Sequence, residues 1–221
     1  MSAFILLGAG TFAQDLTDML EECGHKVVGY AINVGKWTPG DRFLDRPVYD
    51  ARCYPTHWPD EGFPQFPILP AIISPQRSIL EMQMENLLFK AKRKFVHKSA
   101  SVSPSATIEP GAVISRGVTV ACQTIIQPYT IVNRAASIGH HNTIFKNATI
   151  GPGAILCGKV TVCENAVIGA GAIVLEDRII GENASVGAGS VVTHNVEAGA
   201  TVYGVPARPP EHFIGMPATD W

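Results

Sequence analysis

"IGPGAILCGKVTVCENAVIGAGAIVLEDRIIGENASVGAGSVV", residues 150–192, returns to an aliphatic residue at every sixth position. Extended in the same register, the pattern covers 17 hexads over residues 96–197, and Val, Ile or Leu begins each of them. The fifth position of the hexad is usually small. Such a unit predicts a short strand and a bend, and three units close a triangular coil with the aliphatic side chains inside. The sequence therefore predicts a parallel β-helix of between five and six coils.

Residues 18 apart lie directly above one another in such a coil. His140 and Gly158 both hold the third position of their hexads, so we expect them to stack one coil apart. His141 follows His140 at once. Neighbouring side chains of a strand point to opposite faces, so the two imidazoles can meet only if the chain bends there.

The first half of the chain has a different pattern. A strand over 3–10, a helix over 11–22 and a second strand over 25–32 are followed by a short strand near "RPVYD" and a third strand over 70–74. A further helix is expected to begin after Ser74. This order predicts a β-α-β unit with a parallel sheet. We place the boundaries to give an amino-terminal domain at 1–94, a β-helix at 95–208 and a tail at 209–221.

Gly8, Gly10 and Ala13 fit a loose G-x-G-x-x-[GA] pattern between the first strand and helix, where backbone N–H groups can approach a phosphate. A dinucleotide site also favours an acidic residue at the end of the second strand, and Asn33 stands there. Three interpretations stay open: a nucleotide-sugar phosphate site, a nicotinamide site, or a tight turn with a structural role only.

Composition narrows the class of protein. The net charge of −2 argues against a nucleic-acid or anionic-membrane surface. No apolar stretch approaches the ~20 residues of a membrane span, and the first residues are too short and uncharged for a signal peptide. The five cysteines lack a C-x-x-C spacing, so we expect a reduced, cytoplasmic protein.

Several short motifs follow one another along the chain: "LLGAG" near the start, "GYAI", "LDRPVYD", Arg77, "IGHH" and a closing "YGVPAR" at 203–208. In this order the chain resembles the bacterial sugar acetyltransferases that include the sialic-acid O-acetyltransferases and the bacillosamine and perosamine N-acetyltransferases. The resemblance implies a small α/β Rossmann-like domain followed by a left-handed β-helix of hexapeptide repeats. It also implies a homotrimer, acetyl-CoA as co-substrate and a nucleotide-sugar substrate, with no metal.

The same resemblance implies roles for individual residues. His140 matches the catalytic base, and the Gly158 N–H matches the oxyanion donor. His141 stands where the family carries an acidic partner of the base. The implied cofactor-binding residues are Ala170, Ala188 and Arg208. The implied substrate-binding residues are Gly8, Gly10, Thr11, Asn33, Arg77, Asn133 and Thr149.

Some positions depart from the family pattern. Thr11 and Phe12 replace a Gly-His pair in the first turn, Thr149 replaces a second histidine, and Ile32 and Asn33 replace an acidic pair. The predicted fold does not depend on these positions, whereas the predicted identities of the nucleotide and the sugar do.

Transfer of an acetyl group to an amine or hydroxyl needs a base, an oxyanion donor and two aligned substrates. The sequence therefore predicts an acetyl-CoA-dependent acetyltransferase that acts on a UDP- or dTDP-linked 4-amino sugar by direct attack. A sugar or sialic-acid O-acetyltransferase and a non-enzymatic nucleotide-sugar-binding trimer remain alternatives.

A zinc enzyme with three histidine ligands is disfavoured, because Cys122 and Gly158, rather than histidines, stand 18 residues before and after His140. His97, His194 and His212 are interpreted as surface residues.

Overall fold

The computed structural model describes residues 2–32, 41–50, 67–71 and 93–210. The described elements of the amino-terminal part are β1 (Ala3–Leu7), α1 (Thr11–Glu22), β2 (Lys26–Ile32), β3 (Arg42–Phe43), β4 (Arg46–Asp50) and β5 (Ile68–Pro70). The five described strands form a mixed sheet in the order β3-β4-β2-β1-β5, in which only the β3–β4 pair is antiparallel.

The predicted β1-α1-β2 unit is confirmed, since β1 and β2 pair in parallel and α1 joins them. Helix α1 buries Leu16, Met19 and Leu20 completely, which is the stripe that its helical spacing predicts. The third strand begins at Ile68, two residues before the predicted start. The helix expected after Ser74, together with Asn33 and Arg77, lies outside the described residues. The Rossmann-like character of the whole domain therefore stays a prediction.

The second half is a left-handed parallel β-helix with three faces, numbered in the order in which the chain meets them. Face 1 contains β6 (Phe95–Val96), β9 (Val113–Ile114), β12 (Ile131–Val132), β15 (Thr149–Ile150), β18 (Val167–Ile168), β21 (Ser185–Val186) and β23 (Thr201–Val202). Face 2 contains β7 (Ser101–Val102), β10 (Thr119–Val120), β13 (Ser137–Ile138), β16 (Ile155–Leu156), β19 (Ile173–Val174) and β22 (Val191–Val192). Face 3 contains β8 (Thr107–Ile108), β11 (Ile125–Ile126), β14 (Thr143–Ile144), β17 (Thr161–Val162) and β20 (Ile179–Ile180).

The hexad explains both the strands and the corners. Its first residue points into the prism, and Ile144, Ile150 and Ile168 are fully buried there. Its fourth residue adopts a left-handed conformation at many corners, with φ of 65° at Gly153 and 62° at Asn147. Gly and Asn tolerate that conformation best, which is why they recur at this position of the repeat.

The coil count predicted from the repeat was too small, because the prism continues to Val202 and its longest ladder has seven strands. The regular register ends at Val192. The next inward residue is Val196, which bridges to Ile180, and β23 then pairs with β21. The hexad assigned to 192–197 is therefore two residues short, and the aliphatic column resumes at Val202.

The amino-terminal part packs on face 1. Val113 and Ile131 point outward from this face yet are fully buried, in one cluster with Phe4 and Leu16. An ionic cluster borders this contact: Arg116 bonds Asp15 at 2.8 Å and Glu22 at 2.7 Å.

His97 joins the same cluster, with its Nε2 3.0 Å from Glu22 Oε2. Only 3% of His97 is exposed, so its interpretation as a surface residue was wrong. His194 is exposed, as predicted, and His212 lies outside the described residues.

Candidate active site

Two imidazoles project from the corner between faces 2 and 3, here called the histidine corner. His141 occupies the left-handed position of its hexad, with φ of 57°, so the chain bends between β13 and β14. The bend brings His140 Nδ1 to 3.2 Å from His141 Nδ1, with the two rings nearly perpendicular. The sequence predicted that the two rings can meet only if the chain bends here, and the chain does bend.

The ring of His140 lies on the backbone of Gly158. A Cβ atom built at Gly158 would stand 2.5 Å from His140 Cε1 and 2.7 Å from its Nε2, so only glycine fits beneath the ring. The stacking predicted from the 18-residue period is confirmed. Because the strands on either side are fixed by the repeat, the position of this imidazole is set by the coil itself.

Backbone hydrogen bonds hold the histidine corner to its neighbouring coils. The His141 N–H donates to the Cys122 carbonyl at 2.9 Å, and the Lys159 N–H donates to the His140 carbonyl at 2.8 Å. Within the described residues, the Gly158 N–H donates to no acceptor of the protein. A free backbone donor therefore accompanies the imidazole, as stabilisation of an oxyanion requires.

A cleft of about 510 Å³ opens where the amino-terminal part meets the corner between faces 1 and 2, here called the cleft corner. Its lining brings together four residues predicted as site residues: Thr11, Asn133, Thr149 and Ala170. Phe12, Asp15, Arg134, Gly151, Pro152, Val167, Ile168 and Gly169 complete it. The sequence reasoning missed Arg134, although it lies two coils below Ala170 in the same column and the 18-residue period could have found it.

The cleft offers donors for polar or anionic groups. Asn133 is 3% exposed and accepts the Arg134 N–H on its Oδ1, which leaves its Nδ2 to donate. Gly10, the N-cap of α1, supplies no side-chain cap, and a Cβ built there would meet no atom of the described residues within 4 Å. Helix N-termini of this kind attract anions through their unsatisfied N–H groups. The Gly8 N–H, in contrast, is used by the Ala31 carbonyl.

The remaining predicted residues lie around the cleft corner or beyond it. Ala188 stands 18 residues after Ala170 and continues its column upward. Arg208 pairs with Tyr203 through two backbone hydrogen bonds of 2.9 Å, and the Tyr203 ring covers Gly187 near the top of the same corner. His140 does not line the cleft. Face 2 separates the histidine corner from the cleft corner in one protomer.

The comparisons with known proteins agree with this architecture. The family model described as "Bacterial transferase hexapeptide (six repeats)" matches residues 143–176 and 164–194. Residues 143–194 therefore match the repeats of the bacterial hexapeptide transferases. A search of curated protein sequences finds no match for this chain. Solved structures do match it over most of its length.

Three of those structures cover both halves of this chain. The acetyltransferase domain of PglB from Neisseria gonorrhoeae, in complex with acetyl coenzyme A, is 26% identical over 94% of this chain and 98% of that one, with a TM-score of 0.79. PerB from Caulobacter crescentus, in complex with CoA and GDP-perosamine, is 25% identical over 95% and 97% of the two chains, also at 0.79. WeeI from Acinetobacter baumannii is 21% identical over 94% and 100%, at 0.77, which shows a shared fold.

Among the described residues, no three His, Cys, Asp or Glu side chains are grouped so that they could hold a metal ion. No helix in the described part of the chain is long and apolar enough to cross a membrane.

Proposed function

We propose that this protein transfers the acetyl group of acetyl-CoA to an amino sugar carried by a nucleotide, in a cytoplasmic homotrimer. The observation that carries the proposal is the seating of His140 on Gly158, which puts a ring nitrogen beside a free backbone N–H. The solved neighbours support the substrates, since PglB binds acetyl coenzyme A and PerB binds CoA with GDP-perosamine.

In this proposal His140 acts as general base through Nε2. Its Nδ1 contacts His141 Nδ1. In the active tautomer, His140 therefore carries its proton on Nδ1 and donates a hydrogen bond to His141 Nδ1. Nε2 then removes a proton from the attacking amine. The amine nitrogen forms a bond to the thioester carbonyl carbon, and the Gly158 N–H stabilises the resulting oxyanion. Collapse expels the CoA thiolate, which takes up the proton held by His140, so the base is regenerated and no covalent enzyme intermediate is needed.

The cleft is the proposed place of the sugar nucleotide. The N-terminus of α1 at Gly10 and Thr11 suits a phosphate, while Asn133 Nδ2 and the hydroxyl of Thr149 suit the polar groups of the sugar. Gly8, Asn33 and Arg77 remain proposed contacts of the nucleotide. Acetyl-CoA is proposed to lie along the column of Ala170 and Ala188 and to reach Arg208.

A trimer joins the two corners. If the three copies turn face 2 toward a common axis, the cleft corner of one copy meets the histidine corner of the next. Face 2 supports this packing, because Ile155, Ile173 and Val191 point outward in one apolar column and Ile155 is 40% exposed. Light scattering tests the assembly, and a monomer at micromolar concentration would refute it.

The substrate is tested by incubating the protein and acetyl-CoA with a panel of 4-amino sugars linked to UDP, dTDP or GDP. GDP is included because PerB holds a GDP sugar. Acetylated product from one nucleotide series, with release of CoA, is the expected result. If no amino sugar reacts but a sugar or sialic-acid hydroxyl does, the alternative of O-acetylation replaces the proposal.

A further inference from the structure

The interior of the histidine corner is polar in two successive coils. At many corners the fifth residue of the hexad is a buried alanine, such as Ala136, Ala154 or Ala172. At the histidine corner two successive coils carry Thr124 and Asn142 instead, both fully buried. Asn142 directly follows the two histidines, and Thr124 lies 18 residues before it.

These two residues change the turn that carries the imidazoles. In an ordinary turn the N–H of the fifth residue donates to the carbonyl of the second, as Ala154 does to Gly151 at 3.2 Å. The Asn142 N–H instead donates to Thr124 Oγ1 at 3.3 Å, and Thr124 Oγ1 donates to the Gly139 carbonyl at 2.7 Å. A hydroxyl from the coil below is thus inserted into the turn that bears His140.

The next turn upward is changed in the same way. The Val160 N–H donates to Asn142 Oδ1 at 2.7 Å, where the repeat would direct it to the Cys157 carbonyl. This turn carries Gly158. One buried chain of hydrogen bonds therefore runs from Thr124 through Asn142 to Val160 and links the turns of His140 and Gly158.

The arrangement leaves a buried donor unused. Asn142 Nδ2 has no hydrogen-bond partner in the part of the chain that the structure describes, and an unsatisfied buried donor destabilises a fold. Alanine would fill this position at no such cost, as it does at the neighbouring corners. Local rules are broken in this way mainly where function requires a particular geometry.

We propose that Thr124 and Asn142 are positioning residues, which hold open the two turns that present His140 and the Gly158 N–H. The inference rests on the proposed function and deepens it. Neither residue touches a substrate. Without the Thr124 hydroxyl, the Asn142 N–H can close on the Gly139 carbonyl, and the imidazole then leaves its seat on Gly158.

Thr124→Ala tests this, with Thr130→Ala as the matched control. Thr130 is equally buried, and its Oγ1 donates to the Phe145 carbonyl at 3.1 Å, but the Ala148 N–H still closes that turn. We expect Thr124→Ala to lower kcat roughly 10- to 100-fold with both KM values unchanged, because a small misplacement of a base is costly. Thr130→Ala should keep the kcat of the wild type. Thr124→Ser keeps a hydroxyl at this position and should retain most of the wild-type kcat.

A second measurement does not depend on turnover. In NMR spectra of protein with ¹⁵N-labelled histidine, Thr124→Ala should shift the ring signals of His140 and His141, and Thr130→Ala should leave them in place. Unchanged rings, or an equal loss of kcat in both alanine variants, would overturn the inference. If Thr124→Ala folds poorly, Asn142→Ala replaces it, and a wild-type kcat there overturns the inference too. A wild type that acetylates nothing would refute the proposed function, whereas the NMR result would still decide the role of Thr124.

Discussion

The division of the proposed site between two subunits can be tested by complementation. Two inactive variants are needed, one for each corner. His140→Ala removes the proposed base at the histidine corner. Ala170→Trp fills the cleft with an indole, and Ala170 is exposed, so the larger side chain does not disturb the interior of the prism. The kcat of each homotrimer alone should be lower than that of the wild type by about 10²-fold or more.

Mixed trimers should regain activity if the copies assemble as proposed. A working site needs an intact histidine corner from one subunit and an intact cleft corner from the next. A trimer that contains both variants has one such interface among its three, so about a third of the sites in mixed trimers should work. Mixed trimers should therefore show about a third of wild-type kcat per site, far above either variant alone.

The assay is acetyl transfer after the two differently tagged variants have been expressed together and purified through both tags. Wild type expressed with each variant serves as the control for subunit exchange. Mixed trimers that stay as inactive as the two homotrimers would refute the shared site, because a site built within one subunit cannot be repaired by its neighbour.

Three further predictions concern single positions. His140→Ala should lower kcat by about 10²-fold or more. His141→Ala should lower kcat less, because orienting a base contributes less than acting as one. Steady-state kinetics of both variants checks this, and a larger loss of kcat in His141→Ala would assign the base to His141. Gly10→Val should raise the KM for the sugar nucleotide and leave that for acetyl-CoA unchanged, because no atom of the described residues lies within 4 Å of its Cβ and the added side chain would clash with a bound phosphate; two unchanged KM values would make the turn purely structural. Hydrogen bonds from Arg116 lower the pKa of Glu22 from 4.5 to about 2. The depressed pKa means that Glu22 stabilises the fold above pH 4.5 and that this contribution fades as the pH falls toward 2. Thermal unfolding should therefore show Glu22→Gln below wild type at pH 6 and the gap closing toward pH 2, whereas a gap independent of pH would contradict the ionic role.

The site illustrates what a repeat can and cannot predict. The 18-residue period placed His140 over Gly158, because strands paired at a fixed spacing leave no freedom along the column. It did not predict that the rings of His140 and His141 touch, since that contact depends on the left-handed φ of His141. Nor did it predict the role of Thr124, whose hydroxyl acts between coils and leaves no mark on the aliphatic pattern.

His97 shows the same limit at the contact with the amino-terminal part. Nothing in its hexad separates it from a solvated histidine, and its burial depends on Glu22 at the end of α1, 75 residues earlier. The two-residue shortening after Val192 likewise escaped the repeat, because a constant period of six puts Ala198 inward, whereas the structure puts Val196 and then Val202 there.

The sequence by itself determined the β-helix, its inward column and the vertical alignment of its corners, because these follow from a local period that each coil repeats. It also determined the β1-α1-β2 unit, whose strands and helix carry their own hydrophobic spacing. Tertiary structure alone decided which corner faces the N-terminus of α1, and hence that Asn133, Thr149 and Ala170 line a cleft while His140 stands across face 2. Packing of one part of the chain on another depends on surface shape and charge summed over distant residues, and no local pattern in the sequence encodes that sum.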